Sequence, residues 1–256
     1  MTRFMIHSHD TYGLGHVRRC SLIAEGLVGA DADNEVLITT GSPRAMAFRL
    51  SERVDSLKLP AATKDATGAY QPRKLTCGID RLVRLRSDVL LSAAGGYSPD
   101  VILVDHAPIG MAGELVPLLE HIDARAGRPR LVLGLRDIID DPSRVEADWH
   151  RDGVWEWLDC YDEILVYGDR RVLTTAAELD LAARSSAIVT HTGFVAPTMP
   201  EPMATEPFVL VTAGGGGDGQ ALLRRYLDAV EAGATSGIRS ELVAEEPITP
   251  WTNSGM

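Results

Sequence analysis

The residues able to do chemistry concentrate at the start of the chain. An apolar run, Phe4 to His7, passes through His7-Ser8-His9-Asp10 into Tyr12-Gly13-Leu14-Gly15-His16, and a helical pattern begins at once, from His16 to Leu27. Glycines let the backbone turn sharply and approach a ligand without a Cβ in the way. The following helix aims unpaired N–H groups and the positive end of its dipole at whatever lies above, which makes the loop a cradle for an anion or a diphosphate. GxG alone is a weak signal. The full dinucleotide fingerprint fails because Arg18 stands where its third glycine belongs, so neither NAD nor FAD is expected. His16 falls in the first turn of the helix, where the dipole favours a neutral imidazole able to accept a proton; the plainer alternative is a polar capping residue. The alternation His7-x-His9 opens a rival reading, a metal-dependent hydrolase, since both rings would share one face of a strand. No HxH or HxxE partner occurs at His106, His121, His150 or His191, so that reading stays second.

Two further pairs stand at the ends of apolar runs, Asp105-His106 after Val101 to Asp105, and Arg136-Asp137 after Arg130 to Leu135. Open α/β sheets bind ligands beyond the carboxyl ends of their strands, so these four are cleft candidates. Helix caps or surface ion pairs are the alternatives, and Asp137 could join Asp140 and Asp141 in a capping cluster before Pro142. Ala213 to Gly219, AGGGGDG, follows another apolar run, and Gly214, Gly215, Gly216 and Gly217 fit either a backbone cradle or a flexible hinge.

The elements that must position these residues alternate. Apolar runs at Phe4–His7, Glu35–Thr40, Ser56–Leu59, Val101–Asp105, Arg130–Leu135, Glu163–Tyr167, Ala187–Thr190 and Phe208–Thr212 are separated by helical patterns at His16–Leu27, Arg44–Ser51, Leu75–Ala93, Met111–Ala126, Pro142–Asp159, Arg171–Ala177 and Gln220–Ala232. This rhythm predicts an α/β, Rossmann-like, doubly wound parallel sheet followed by the start of a second such domain. The units are too uneven for a TIM barrel. FVAPTMPEPMATEP, residues 194–207, carries four prolines and reads as a linker between a domain at 1–193 and an incomplete one at 208–256. The 256 residues, 45% hydrophobic and 24% charged, suit a globular protein. The net charge of −11 argues against nucleic acid as a partner. Its acidity lies late in the chain: residues 1–100 hold 13 basic and 11 acidic side chains, the rest 12 and 25. Three widely spaced cysteines, Cys20, Cys77 and Cys160, fit reduced thiols. With no long apolar run and no signal-peptide pattern, a cytoplasmic location is the simplest expectation.

The motifs HDTYGLGHVRRCSLIAEGL, PDVILVDHAPIGMAGELVPLLE, LVLGLRDIIDDP, YDEILVYGD, HTGFV and VLVTAGGGGDG, in this order, resemble a predicted glycosyltransferase family related to MurG. The resemblance runs from about residue 4 to 232 and lacks the family's last part. It implies a GT-B fold, transfer of a sugar from a nucleotide-diphosphate sugar to an acceptor hydroxyl, and no need for a metal or other cofactor. By the same resemblance, His16 is the acceptor base or a phosphate ligand, Gly13, Leu14, Gly15 and Gly214 to Gly217 face the donor diphosphate, and Asp105, His106, Arg136 and Asp137 line the acceptor cleft. Leu14 departs from the glycine common at its place. If the donor domain is truncated, a non-catalytic acceptor-binding fragment is the alternative. Finally, Leu75, Ile79, Leu82, Val83, Val89 and Leu90 mark an apolar helix face flanked by Arg73, Lys74, Arg81, Arg84 and Arg86. Such a helix can touch an anionic membrane, which would suit a lipid-linked acceptor, or pack on the core with a solvated basic edge.

Overall fold

The computed structural model describes residues 1–9, 14–43, 45, 49–65, 68–124, 127–172, 175–197, 206–212, 219–235 and 237–243. They belong to two compact units, 1–197 and 198–256.

In the first unit, β1 (Arg3–Ser8), β2 (Glu35–Thr40), β3 (Val54–Lys58), β6 (Val101–Asp105), β7 (Arg130–Arg136), β8 (Glu163–Tyr167) and β9 (Ile188–His191) form one sheet in the order β3-β2-β1-β6-β7-β8-β9. Every pairing in it is parallel. The expected doubly wound α/β architecture is thus the observed one. Strand order reverses between β1 and β6, and this is the switch point at which open sheets leave a crevice.

Side chains alternate across the sheet and supply both faces. Met5, Ile102, Val104, Leu131, Leu133, Leu135, Ile164 and Val166 pack on one side with Leu90 of α2 (Ile79–Tyr97) and Leu118, Leu119 and Ile122 of α3 (Val116–Asp123). On the other side, Ile6, Val36, Ile38, Leu103 and Val132 meet Cys20 and Ala24 of α1 (Gly15–Ala30). The period of two in a fully covered strand explains why β6 and β7 read as unbroken apolar runs.

Several helices depart from their sequence outlines. The pattern at Pro142–Asp159 is α4 (Pro142–Arg151) plus a 3₁₀ segment, Val154–Cys160, because Gly153 turns the chain at φ 67°. The pattern at Met111–Ala126 breaks likewise into a 3₁₀ turn, Met111–Gly113, and α3, with Gly110, Ala112 and Gly113 all at positive φ. Gly78 is the N-cap of α2, so that helix starts four residues later than its apolar face suggested. A hairpin of β4 (Ala62–Lys64) and β5 (Tyr70–Pro72), unforeseen in the sequence, packs near it through Tyr70 and Ala62 against Leu82. Two one-turn helices, α5 (Thr175–Glu178) and α6 (Leu181–Arg184), precede β9.

The second unit holds β10 (Val209–Thr212) parallel to β11 (Ser240–Val243), joined through α7 (Gln220–Glu231). Val211 and Leu223 are its buried apolar side chains among the described residues. No described helix is long and apolar enough to cross a membrane.

Candidate active site

At the switch point the carboxyl ends of β1 and β6 stand side by side, Val104 in register with His7. The chain leaves β1 toward α1 and leaves β6 through His106. The first N–H groups of α1, like those of any helix, lack intrahelical partners, and among the described residues neither a side-chain cap nor a first-turn acid serves them. Among the described residues no atom lies within 4 Å of where a Cβ on Gly15 would sit.

One turn inside the helix, His16 meets Asp105. The imidazole Nδ1 lies 2.7 Å from Oδ2 of the fully buried Asp105. Arg19, three residues on and therefore on the same helix face, grips the same carboxylate, Nε donating to Oδ1 at 2.9 Å and Nη2 to Oδ2 at 2.9 Å. Arg19 Nη2 also comes within 3.0 Å of His16 Nδ1. The contact with Asp105 sets the tautomer, the Arg19 Nη2 hydrogen being given to Asp105 rather than to Nδ1. An ionised Asp105 offers only lone pairs, and two facing lone pairs at that distance would repel; Nδ1 must carry the proton and donate to Asp105. In the neutral ring Nε2 is then an acceptor. A carboxylate holding the far nitrogen while the near one is bare is the arrangement of an oriented general base.

Two more imidazoles complete a cluster. The ring centroids of His9 and His106 lie 5.6 Å and 5.0 Å from that of His16, and 5.6 Å from each other. Both Nδ1 atoms are buried without a hydrogen-bond partner among the described residues. Burial first, and then the neighbouring imidazoles, hold His9 down at about 3. Burial, followed by His9, His16, Arg136 and Arg19, holds His106 at about 2, so both rings are neutral at physiological pH. His106 reaches this place through a strained backbone: φ is 70°, its N–H donates to Gly134 O at 2.7 Å, and Ala107 N–H folds back to Asp105 O at 2.9 Å.

The floor is Tyr167. Its ring lies 5.3 Å beneath the Arg19 guanidinium, and its hydroxyl would be 1.9 Å from a Cβ on Gly134, so β7 must carry glycine there. Burial, and then the charge of Asp105, push the phenol well above its ordinary value.

The structure separates His7 from His9. The sequence placed them on one face as a rival metal pair, but β1 ends at Ser8, and His7 turns into the interior. There Nδ1 is 3.0 Å from Thr39 Oγ1 and Nε2 is 3.2 Å from Glu114 Oε1. Glu114 is in turn gripped by Arg86, through Nε and through Nη2 at 2.8 Å. Burial alone would raise the Glu114 carboxyl, but the hydrogen bonds from Arg86 and His7 outweigh it and bring it to about 2. Arg86, expected on a solvated basic edge, is 1% exposed. Among the described residues no group of three or more His, Cys, Asp or Glu side chains is placed to hold a metal ion.

Of the other residues singled out in the sequence, Leu14 is the N-cap of α1, while Gly13 and Gly214 to Gly217 lie outside the described residues. Arg136 ends β7, and its charge reaches His106. Asp137 Oδ1 accepts from Ile138 N–H, and its Cβ lies 2.4 Å from where a Cβ on Gly168 would sit. Asp141 alone caps α4, accepting from Ser143 and Arg144 N–H. Arg19 and Tyr167 were not among the sequence candidates, and His9 was one only as half of the rival metal pair. The i, i+3 spacing from His16 was the available signal for Arg19; nothing local marked Tyr167, which is in register with Arg136 across the sheet.

No family model matches this chain, and no curated protein matches it. Solved structures do. A UGT transferase from Siraitia grosvenorii in complex with UDP superposes with a TM-score of 0.54 at 12% identity, over 98% of this chain and 66% of that one. The glycotransferase of kitacinnamycin gives 0.53 at 14% identity, over 100% of this chain and 68% of that one. A UDP-N-acetylglucosamine 2-epimerase from Listeria monocytogenes gives 0.55 at 10% identity, over 96% and 64%. The chain thus spans about two thirds of the length of these proteins, and at such identities it is the fold they share: an α/β, Rossmann-like fold of the GT-B type.

Proposed function

We propose that this chain takes part in transferring a sugar from a nucleotide-diphosphate sugar to an acceptor hydroxyl, with His16 as the general base and Asp105 as the group that orients it. The observation that carries this reading is the His16–Asp105 pair at 2.7 Å, set beside the N-terminus of α1 at the switch point. The bound form of one similar fold, the UDP complex from Siraitia grosvenorii, supports the donor class. In the proposed step the acceptor hydroxyl gives its proton to His16 Nε2, its oxygen forms a bond to the anomeric carbon, and the bond from that carbon to the diphosphate oxygen breaks. Leu14 and Gly15 at the head of α1 would hold the leaving diphosphate through backbone N–H groups, with no metal required; Gly13 and Gly214 to Gly217, expected from the sequence to do the same, lie outside the described residues. His106, Arg136 and Asp137 would line the acceptor side.

A cytoplasmic site of action and a lipid-linked acceptor at a membrane surface fit this reading. Leu75 and Leu85 are 48% and 44% exposed, and Arg73, Lys74, Arg81 and Arg84 around them are exposed as well.

The test is release of nucleoside diphosphate from a panel of UDP-, GDP- and dTDP-sugars, with simple sugars and lipid-linked sugars as acceptors. Loss of a positioned general base lowers turnover by roughly 10²- to 10⁴-fold, so His16→Ala should fall by that factor. Transfer by His16→Ala at the parent rate would remove the base from this role.

A further inference from the structure

Among the described residues Arg136 is a cation without an anion. It stands at the carboxyl end of β7, half-buried, and donates through Nη2 to Ile139 O at 2.8 Å, while its Nε is sealed from solvent with no partner. Among the described residues no carboxylate lies within ion-pair distance of it, and the acids of the site and of the loop that follows Arg136 are committed elsewhere. Asp105 is held by Arg19 and His16. Glu114 is held by Arg86 and His7. Asp137 accepts from Ile138 N–H, Asp140 pairs with Arg144, and Asp141 caps α4. The charge of Arg136 helps to hold His106 unprotonated, and the buried Nδ1 of that ring has no partner among the described residues. A partly desolvated guanidinium with no counter-ion is unfavourable in the empty site and becomes favourable when a planar or tetrahedral oxyanion reaches it, because its fork of donors is already set.

We propose that Arg136, beside His106, forms a subsite for an oxyanion, a carboxylate or a phosphate, carried by a substrate. This rests on the functional reading only for what the substrate is; an oxyanion bound at Arg136 stands whether or not sugar is transferred. Two sources share the chemistry: an acidic group on the acceptor, or the diphosphate of the donor. The subsite takes its place from the neighbouring ends of β6 and β7, where Asp105 is in register with Gly134, and the strained turn at His106 brings that ring to 5.0 Å from the ring of His16.

The full chain and two variants, Arg136→Met and Arg136→Lys, separate these sources in binding measurements by calorimetry. The probes are matched pairs, glucose 6-phosphate against glucose and methyl galacturonide against methyl galactoside, together with pyrophosphate and UDP. Arg136→Lys keeps the charge and guards against a folding artefact, and both variants are compared with the parent by thermal melting. The expected result is that an acidic member binds the parent at least tenfold more tightly than its neutral twin, that Arg136→Met removes the difference, and that Arg136→Lys keeps part of it. If Arg136→Met instead weakens pyrophosphate and UDP tenfold and leaves the sugar pairs alone, the subsite holds and its oxyanion is the donor's. If Arg136→Met, folded as the parent, changes the binding of no anionic probe, or none binds, the subsite is overturned. Absence of UDP binding together with a retained preference for the acidic sugars would leave the subsite standing and remove the nucleotide-sugar reading.

Discussion

Lowering the pH from 7.5 to 5.5 should unfold this protein more readily through two imidazoles in particular. His9 and His106 sit at about 3 and about 2 in the folded chain, against 6.5 for an unperturbed ring. Both folded values are depressed, so above pH 6.5 neither state carries these protons and the stability is whole. Below 6.5 the unfolded chain takes them up and the folded chain refuses, and stability drains away until the pH reaches the folded values. At pH 5.5, one unit below the unfolded value, each ring forfeits about 1.4 kcal/mol, and the pair about 3. Both residues keep a partly exposed edge, which screens some of this, so about 2 kcal/mol is the working figure. Urea denaturation at the two pH values measures it, provided that every other titrating group cancels. A comparison with a His9→Gln, His106→Asn double variant achieves that, and asparagine suits position 106 because it tolerates the left-handed backbone there. The parent should lose about 2 kcal/mol more than the variant between pH 7.5 and 5.5. Equal losses in the two proteins would mean that the rings are not held neutral, and the description of the cluster would be wrong.

Other expectations follow from contacts with little room to adjust. Gly134→Ala places a Cβ 1.9 Å from the Tyr167 hydroxyl, and the ring cannot retreat from under Arg19 without moving the dyad. A loss of about 1–3 kcal/mol by urea titration is expected, with partial recovery in Gly134→Ala, Tyr167→Phe; no loss in the single variant would refute the close approach. Glu114→Gln removes the charge that compensates Arg86, 1% exposed, and should destabilise by about 3–5 kcal/mol. The parent should also lose stability as the pH falls from 4.5 toward about 2, where Glu114 becomes protonated in the folded chain. Acid unfolding of Glu114→Gln with the parent's profile across that range would contradict this.

The strands were legible because burial on both faces leaves a run of Val, Ile and Leu with little else to explain it. Glu35–Thr40, Val101–Asp105 and Glu163–Tyr167 have in the structure the limits their composition suggests. The hairpin at 62–72 was not legible, since three-residue strands are too short to show a period. Helix breaks at Gly110 to Gly113 and at Gly153 were hidden because single glycines are tolerated in helical patterns, and only tertiary structure decides which ones turn at positive φ. The same limit governs the site. The loop before α1 and the strand end at Asp105 each read as candidates alone, but their contact depends on β1 lying next to β6, an arrangement no local pattern encodes. Arg86 misled for the related reason that its partner, Glu114, lies 28 positions away and makes burial of a basic side chain tolerable.

Within the proposed function, a neutral His16 favours the base over the phosphate ligand among the two roles open to it in the sequence. A phosphate is an acceptor only, so a neutral ring could bind it through Nε2 only if Nε2 carried the proton. Asp105 at 2.7 Å holds the proton on Nδ1 instead, and the outward nitrogen presents a lone pair that a phosphate would repel and an acceptor hydroxyl would donate to. His16→Ala should therefore lower turnover while leaving the dissociation constant of UDP within about twofold of the parent, since no hydrogen bond to the diphosphate is lost. Asp105→Asn should have the same direction, because an amide can turn its NH₂ toward Nδ1 and draw the proton over to Nε2, removing the base without removing the ring. A tenfold weakening of UDP binding by His16→Ala, with turnover at saturating donor little changed, would reverse the assignment and make His16 a ligand of the donor.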